Sequence, residues 1–520
     1  MTPNILLITA DQWRGDCLGA AGHPLLQTPA IDALAAAGVC FLRHYAQAAP
    51  CSPGRASLYT GLYQMNHRVL RNGTPLDARH DNIAKALARR GYRPTLFGYT
   101  DQAVDPRTTT PDDPRLTTYE EVLPGFEVAV KLPEDNGAWI AWMESRGHRM
   151  PADRWELHWP ETGRPELPTT APPRFDQDET ETAFLTGAFL DWLRDRPKDA
   201  PWCAHISFLR PHPPFVVPAP FNDLYDPAGG PAFRRAPDPA AEAAQHPYLR
   251  YWLDNARAGS FCLVSDVDRR VADWPDAAFR SVRATYWGMI SEVDRQIGRL
   301  VEGLKAAGAW DDTVIALTSD HGEMMGDHWT LGKFGYFDQA YHVPLIVRDP
   351  RQPQGFGGRV TAFTEAVDVV PTLLDAACAC LEGPADGVAL TPFLRGEASA
   401  RWRREAHWEF DFRDIASAAA QRSLGVDLDD CSLAVIRDER YKYVHFAGLP
   451  PLLFDLAEDP GELYDRADDP DYRAVRLEMA ERLLAWRSRH LDRRLTGIAL
   501  TPAGLVDARA ASGAALAPNN

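Results

Sequence analysis

Asn4-Ile5-Leu6-Leu7-Ile8-Thr9-Ala10-Asp11 is a β-rich apolar run that ends on a carboxylate, and Thr313-Val314-Ile315-Ala316-Leu317-Thr318-Ser319-Asp320-His321 repeats the pattern far downstream. Runs of this kind mark strands buried on both faces, as in parallel sheets. Around them lie helical patterns, from Pro29 to Gly38, from Asn82 to Gly91 and from Ala278 to Gly308. The alternation predicts an α/β fold with a large, mostly parallel sheet flanked by helices. In such sheets ligands collect outside the carboxyl ends of the strands, which makes Asp11, Asp320 and His321 the first candidate site residues.

Outward from these strands, the Pro-rich and acidic stretch 132–178 has weak periodicity and reads as an insertion of loops and short helices. From Arg401 the pattern changes to short β-rich runs at Ser432–Ile436, Tyr441–Phe446 and Leu452–Asp455, predicting an antiparallel sheet. A helix presenting Val475, Met479, Leu483 and Trp486 on one face follows. The expected division is a catalytic domain over 1–400, a smaller C-terminal α+β domain over 401–492, and a tail over 493–520 that is frayed or used in subunit contacts.

The bulk properties fit a folded globular protein of 520 residues, 45% hydrophobic and 24% charged. A net charge of -17 argues against nucleic-acid binding, which depends on Lys and Arg neutralising phosphates. The N-terminal stretch does not read as a secretory signal, and no run approaches the ~20 apolar residues of a membrane span. A cytoplasmic, membrane-free protein is expected. The 8 cysteines are scattered, without the spacing of a disulfide scaffold or zinc site, and Cys378 and Cys380 lack a second ligand pair.

One cysteine stands apart. Cys51-Ser52-Pro53-Gly54-Arg55 continues as Ala56-Ser57-Leu58-Tyr59-Thr60-Gly61. Pro53 suits the first turn of a helix, where free N–H groups favour an anion. A lone cysteine is most often a small buried apolar group. Alternatively, a helix N-terminus and Arg55 could favour a thiolate nucleophile.

The full motif resembles the sulfatase signature, Cys-X-Pro-X-Arg followed by Leu-X-Thr-Gly. The resemblance implies that Cys51 is converted to formylglycine by a formylglycine-generating enzyme, and that the aldehyde hydrate supplies the nucleophile. It extends along the chain. Asp11-Gln12 and Asp320-His321-Gly322-Glu323 look like the two halves of the family's site for one divalent metal, with Asp11, Gln12, Asp320, His321 and residue 51 as ligands. Oxygen donors with one imidazole suit calcium or manganese. His212 in Arg210-Pro211-His212-Pro213-Pro214 and Lys333 in Leu331-Gly332-Lys333 match two further active-site positions. The implied roles are Arg55 and Lys333 holding the transferring group, and His212 protonating the leaving oxygen together with Lys333.

Gln12 stands where ordinary sulfatases have an acidic residue, and Gly98-Tyr99-Thr100-Asp101 replaces their Gly-Lys-Trp-His segment. Met65-Asn66-His67-Arg68, Asn72 and Asp105-Pro106-Arg107-Thr108-Thr109 resemble the branch of phosphonate monoester hydrolases and closely related arylsulfatases. In that branch Asn72 and Tyr99 would donate hydrogen bonds to the substrate. Asp101 and Leu209 align where phosphonate-cleaving members carry hydroxyl side chains. The first expectation is therefore an arylsulfatase acting on small anionic esters, promiscuous towards phosphonate monoesters and phosphodiesters, with Asp101 repelling a second negative charge. The alternative is phosphonate monoester and phosphodiester hydrolysis as the main activity. From a different class comes a catalytically silent metal-binding homologue in which Cys51 stays a thiol. The expected assembly is a homodimer or homotetramer.

Overall fold

The computed structural model describes residues 2–197, 200–397 and 402–507. In chain order its strands are β1 (Asn4–Ala10), β2 (Val39–Phe41), β3 (His44–Tyr45), β4 (Pro94–Gly98), β5 (Glu127–Lys131), β6 (Cys203–Phe208), β7 (Thr313–Thr318), β8 (Leu345–Arg348), β9 (Gly358–Val360), β10 (Thr364–Glu365), β11 (Ala406–Asp411), β12 (Ser432–Arg437), β13 (Tyr441–Phe446), β14 (Leu452–Asp455), β15 (Ile498–Thr501) and β16 (Gly504–Asp507). Eight of them form one sheet in the order β5-β4-β6-β1-β7-β8-β2-β9. From β5 to β7 all neighbours are parallel, whereas β8 runs against both β7 and β2. The sheet is mixed but mostly parallel, as the uninterrupted apolar runs of β1 and β7 predict.

Helices cover both faces. They include α1 (Pro29–Ala36), α2 (Cys51–Thr60), α3 (Ile83–Arg89), α4 (Glu181–Asp195), α5 (Asp276–Ala306), α6 (Val369–Ala376) and α7 (Arg473–His490). Alternate side chains of β1 point into different cores. Leu6, Ile8 and Ala10 pack with α1, α4 and α5, and Ile5 and Leu7 pack with α2, α3 and α6. Helix starts follow local chemistry: Asn82 accepts the N–H of Lys85 at 3.0 Å to cap α3, and Thr180 accepts that of Ala183 at 2.9 Å to cap α4.

The expected antiparallel sheet is present, in the order β11-β12-β13-β14. Val435, Val444 and Phe446 face the large domain's Tyr336 and Tyr341, and Ile436, Tyr443 and Leu453 face Met479, Leu483 and Trp486 of α7. Lys442 is fully buried between the two units, 3.1 Å from Asp338 and bonded to Glu462. Residues 132–178 contain one helix, Gly137–Ser145, and a 3₁₀ turn, Arg154–His158, among loops. The expected domain boundary at 400/401 lies outside the described residues, as does the tail from 508 on. In the described part of the tail, turns over 494–497 lead into β15 and β16, which pair as an antiparallel hairpin. No described helix is long and apolar enough to cross a membrane.

Candidate active site

The carboxyl ends of β1, β4, β6 and β7 meet the N-terminus of α2. Asp11 follows β1, Tyr99 and Asp101 follow β4, His212 follows β6, and Asp320 and His321 follow β7. All ten residues of α2 are buried, and Pro53 sits in its first turn. The helix comes so close to β7 that a Cβ on Gly54 would lie 2.6 Å from the Asp320 carbonyl oxygen. The start of α2 is capped from another loop, with Asn72 Oδ1 accepting the N–H of Ser52 at 3.0 Å.

Asp11, Cys51, Asp320 and His321 each direct a ligand-type atom into one cluster, all within 4.8 Å of one another. Cys51 Sγ lies 3.3 Å from His321 Nε2. Asp11 Oδ1 is buried without a hydrogen-bond partner, an acceptor that a cation would satisfy. The set therefore fits a hard or borderline divalent ion held by Asp11, Asp320 and His321. Burial and the Lys333 charge hold His321 down to about 3, so its imidazole is neutral and able to ligate. Burial opposes ionisation of Asp11, but His212, Arg55 and His321 outweigh it and hold that carboxyl well below its usual range. Asp320 is displaced upward, by burial and by the Asp11 charge.

Arg55 has a different place from the one its motif implies. Its Nε donates to Asp320 at 2.9 Å, Nη2 to Asp11 at 3.1 Å and Nη1 to Ser207 Oγ at 2.8 Å, with no exposed surface. It binds the carboxylates rather than reaching the open pocket. Tyr99 is likewise turned inward, its hydroxyl donating to Asp11 Oδ2 at 2.6 Å and its ring lying 4.2 Å from the Arg55 guanidinium.

Gln12 bridges two charged groups. Its amide nitrogen donates to Glu323, and its carbonyl oxygen accepts from Lys333 Nζ at 2.6 Å. A carboxylate on one side and an ammonium on the other leave one orientation of the amide. Glu323 also accepts the N–H of Gly332 at 2.7 Å, fixing the residue before Lys333. Burial opposes the Lys333 charge, yet Cys51, Asp11 and Asp320 hold its pKa above the ordinary lysine value. Burial followed by the Asp11 charge pushes the Cys51 thiol far up, which disfavours the thiolate form of the unmodified side chain.

Asp101 is fully buried in a left-handed backbone conformation, φ 50°, and neither carboxylate oxygen has a hydrogen-bond partner. Burial lifts its pKa above the carboxylate range, against the opposing Arg55 charge. Glu323, Ser207 and Tyr59, whose hydroxyl accepts from Arg55 Nη1 at 3.3 Å, are site residues that the motifs did not single out. Glu323 stood inside the Asp320–Glu323 segment and Tyr59 at the variable position of Leu58-Tyr59-Thr60-Gly61, whereas Ser207 lies within a strand and carries no sequence signal.

A cavity of about 570 Å³ opens from this cluster, with Gln12, Asn72, His212 and Lys333 on its inner side. Tyr248, Tyr251, Trp252, Phe334, Phe410 and Phe412 line its outer part. His212 is half-buried there, its pKa depressed to about 4 by burial and then by Lys333.

Carboxylates and an imidazole gathered at strand ends, opposite a side chain borne on a helix N-terminus, define a metal-site hydrolase. The comparisons give the family: residues 3–379 match the Sulfatase family model, and residues 326–489 match the model described as N-sulphoglucosamine sulphohydrolase, C-terminal. The chain belongs to the sulfatase family, within the alkaline phosphatase superfamily. It is 42% identical over 509 residues to the multifunctional alkaline phosphatase superfamily protein PehA of Trinickia caryophylli, covering 96% of this chain and 98% of that one. The phosphonate monoester hydrolase of Agrobacterium radiobacter superposes with a TM-score of 0.95 at 55% identity, over 97% of this chain and 99% of that one. The phosphonate monoester hydrolase of Silicibacter pomeroyi gives a TM-score of 0.89 at 37% identity, over 97% and 99%.

Proposed function

We propose that this chain is a formylglycine-dependent hydrolase of singly charged esters, with phosphonate monoesters and phosphodiesters as first substrates and aryl sulfates as the second reading. The observation that carries the proposal is the charge balance of the site. Asp11 and Asp320 match one divalent ion, leaving Arg55 and Lys333 as two fixed cations. A singly charged ester and an attacking oxyanion balance those cations, whereas a phosphate dianion adds an uncompensated charge. The similarity to two phosphonate monoester hydrolases is the support for putting phosphonates first. The replacement of hydroxyl side chains by Asp101 and Leu209 favours the sulfate reading.

Cys51, once oxidised to formylglycine, offers the attacking hydroxyl at the start of α2. A divalent ion, when bound, lowers the pKa of that hydroxyl and polarises the ester's nonbridging oxygens. Arg55 and Tyr99 hold Asp11 and Asp320 in place for it, while Lys333 and the amide nitrogen of Asn72 face the transferring group. His212 stands beside the leaving oxygen, and the aromatic wall receives the leaving group. An anionic substrate next to His212 raises its proton affinity above that of the empty site, so the ring can share the acid role with Lys333.

Eight free cysteines support a reducing, cytoplasmic setting. An exposed row on α7, Leu477 and Leu484, continued by Leu491, Leu500 and Leu505, supports assembly as a homodimer or homotetramer.

The test compares kcat/KM for a sulfate, a phosphonate monoester, a phosphodiester and a phosphate monoester, all releasing p-nitrophenol. The singly charged esters are expected to exceed the phosphate dianion by at least about tenfold. Fastest turnover of the dianion would refute the charge argument, and a sulfate clearly above the phosphonate puts the second reading first. Mass measurement of the residue 51 peptide checks the nucleophile. An unmodified cysteine in fully active enzyme excludes formylglycine, and an unmodified cysteine in a metal-loaded, inactive protein supports the silent homologue.

A further inference from the structure

The loop that carries His212 cannot hold itself in place. In Arg210-Pro211-His212-Pro213-Pro214, three of the five residues are prolines and bring no N–H, so their carbonyls need donors from elsewhere. The N–H of His212 is spent on Leu209, at 2.9 Å. The Arg210 guanidinium supplies what is missing. Its Nη1 donates to the Pro214 carbonyl at 2.7 Å and lies 3.4 Å from that of His212. Between those two, the Pro213 carbonyl takes the hydrogen of His212 Nδ1 at 2.8 Å. A carbonyl only accepts, so Nδ1 carries the hydrogen and Nε2 is the nitrogen left for the substrate.

Arg210 is buried and is anchored on its far side. Its Nη2 donates to Glu181 Oε1 at 3.0 Å, and the same oxygen lies 3.3 Å from His158 Nε2. Glu181 is the first residue of α4. His158 closes the 3₁₀ turn of the 132–178 segment, so this segment reaches the active site through three side chains. Burial opposes the Glu181 charge, but Arg210 and His158 outweigh it and hold the carboxyl down to about 2. A buried carboxylate in this state keeps the guanidinium where it is.

We propose that Arg210, anchored by Glu181 and His158, is the positioning residue that fixes the ring tautomer and placement of His212 and so sets how well the enzyme expels poor leaving groups. The inference rests on the proposed placement of His212 beside the leaving oxygen. Proton donation matters most when the departing oxygen is strongly basic. A shift of about 1 Å in a positioned group is enough to cost on the order of a hundredfold.

The experiment measures kcat and kcat/KM for esters of phenols of graded acidity, using wild type, Arg210→Lys, Arg210→Met, Glu181→Gln, His158→Gln and His212→Asn. Melting temperature and metal content are recorded for each variant. Nitrogen-15 spectra of the His212 ring are taken without substrate, which reads the tautomer independently of turnover. Arg210→Met is expected to lose about a hundredfold with phenol as leaving group, against less than about threefold with dinitrophenol. Arg210→Lys should fall between that variant and wild type, and the His212 ring of Arg210→Met should no longer hold a single Nδ1–H tautomer. Equal losses with all leaving groups, or an unchanged ring spectrum in a folded variant, would overturn the proposal. Should Arg210→Met fail to fold, Glu181→Gln and His158→Gln carry the same comparison. If His212→Asn itself shows no leaving-group sensitivity, the assigned role of His212 falls, and the catalytic part of this proposal with it. If His212→Asn is sensitive and folded Arg210 variants are not, only the positioning role falls.

Discussion

The two walls of the site are built on opposite terms. On the inner wall, Asp11, Arg55, Tyr99, Asp320 and His321 are at most 2% exposed, and Arg55 and Tyr99 direct their donors to one another's partners. On the outer wall, Tyr251, Trp252 and Phe334 are half-buried, on a short helix and a loop, and make fewer polar contacts. The inner wall is an ion cage whose parts cannot change singly, because each charge neutralises another. The outer wall can vary its side chains without unbalancing charge. The first suits chemistry shared across a family, and the second suits a choice of leaving group.

The largest expected effect tests the inner wall as a catalytic unit. Asp320→Asn should lower kcat by at least about 10³-fold for every substrate, because several kcal/mol of charge stabilisation disappear with the ligand. A loss confined to one leaving group would erase the distinction between the walls. Arg55→Met tests the cage as a structural unit. Removing one partner of a buried ion cluster leaves Asp11 and Asp320 uncompensated, so unfolding free energy measured without metal should fall by about 3–5 kcal/mol. Added calcium or manganese should recover part of it, since a bound ion replaces the lost charge.

A third prediction concerns acid. Glu181 is depressed to about 2 in the folded chain from an ordinary value of 4.5. A carboxylate with a depressed folded value contributes stability above its unfolded value and loses it as pH falls through the folded one. About 3 kcal/mol should therefore disappear between roughly pH 4.5 and pH 2, as the shift converts at 1.36 kcal/mol per unit. Acid unfolding of Glu181→Gln should lack that component. The smallest effect belongs to the outer wall: Trp252→Ala should raise KM for aryl esters about tenfold, near 1.4 kcal/mol, and leave alkyl esters almost unchanged.

Strand ends and motifs were legible in the sequence, because apolar runs and local spacing encode them. β1 and β7 appear at the expected places, and Asp11, Asp320 and His321 converge with Cys51. The partners of these residues were not legible. Arg55 and Asp320 are 265 positions apart, and Gln12 and Lys333 are 321 apart, so no local pattern connects them. For that reason Arg55 and Tyr99 read as substrate-facing groups, although their donors point to the carboxylates. Ser207 was invisible because a serine inside a buried strand carries no signal until its neighbour is known. The tail's Ala-, Gly- and Pro-rich composition hid the β15–β16 hairpin for the same reason, since two exposed strands pair without a buried alternation to announce them.

The burial of α2 sets an order of events during biosynthesis. Cys51 is 1% exposed, and a Cβ at Gly54 would already strike the backbone of the neighbouring strand end. No second protein can grip a segment packed this tightly. The oxidation proposed for Cys51 must therefore reach the chain while 51–60 is still extended, ahead of its docking against β7. On the proposed oxidation of Cys51, maturation would be a race between a modifying enzyme and folding, and a chain that folds first would be stranded with a thiol. Slower synthesis or a delayed fold should raise the yield of active protein at constant total expression, a ratio that peptide mass counts directly.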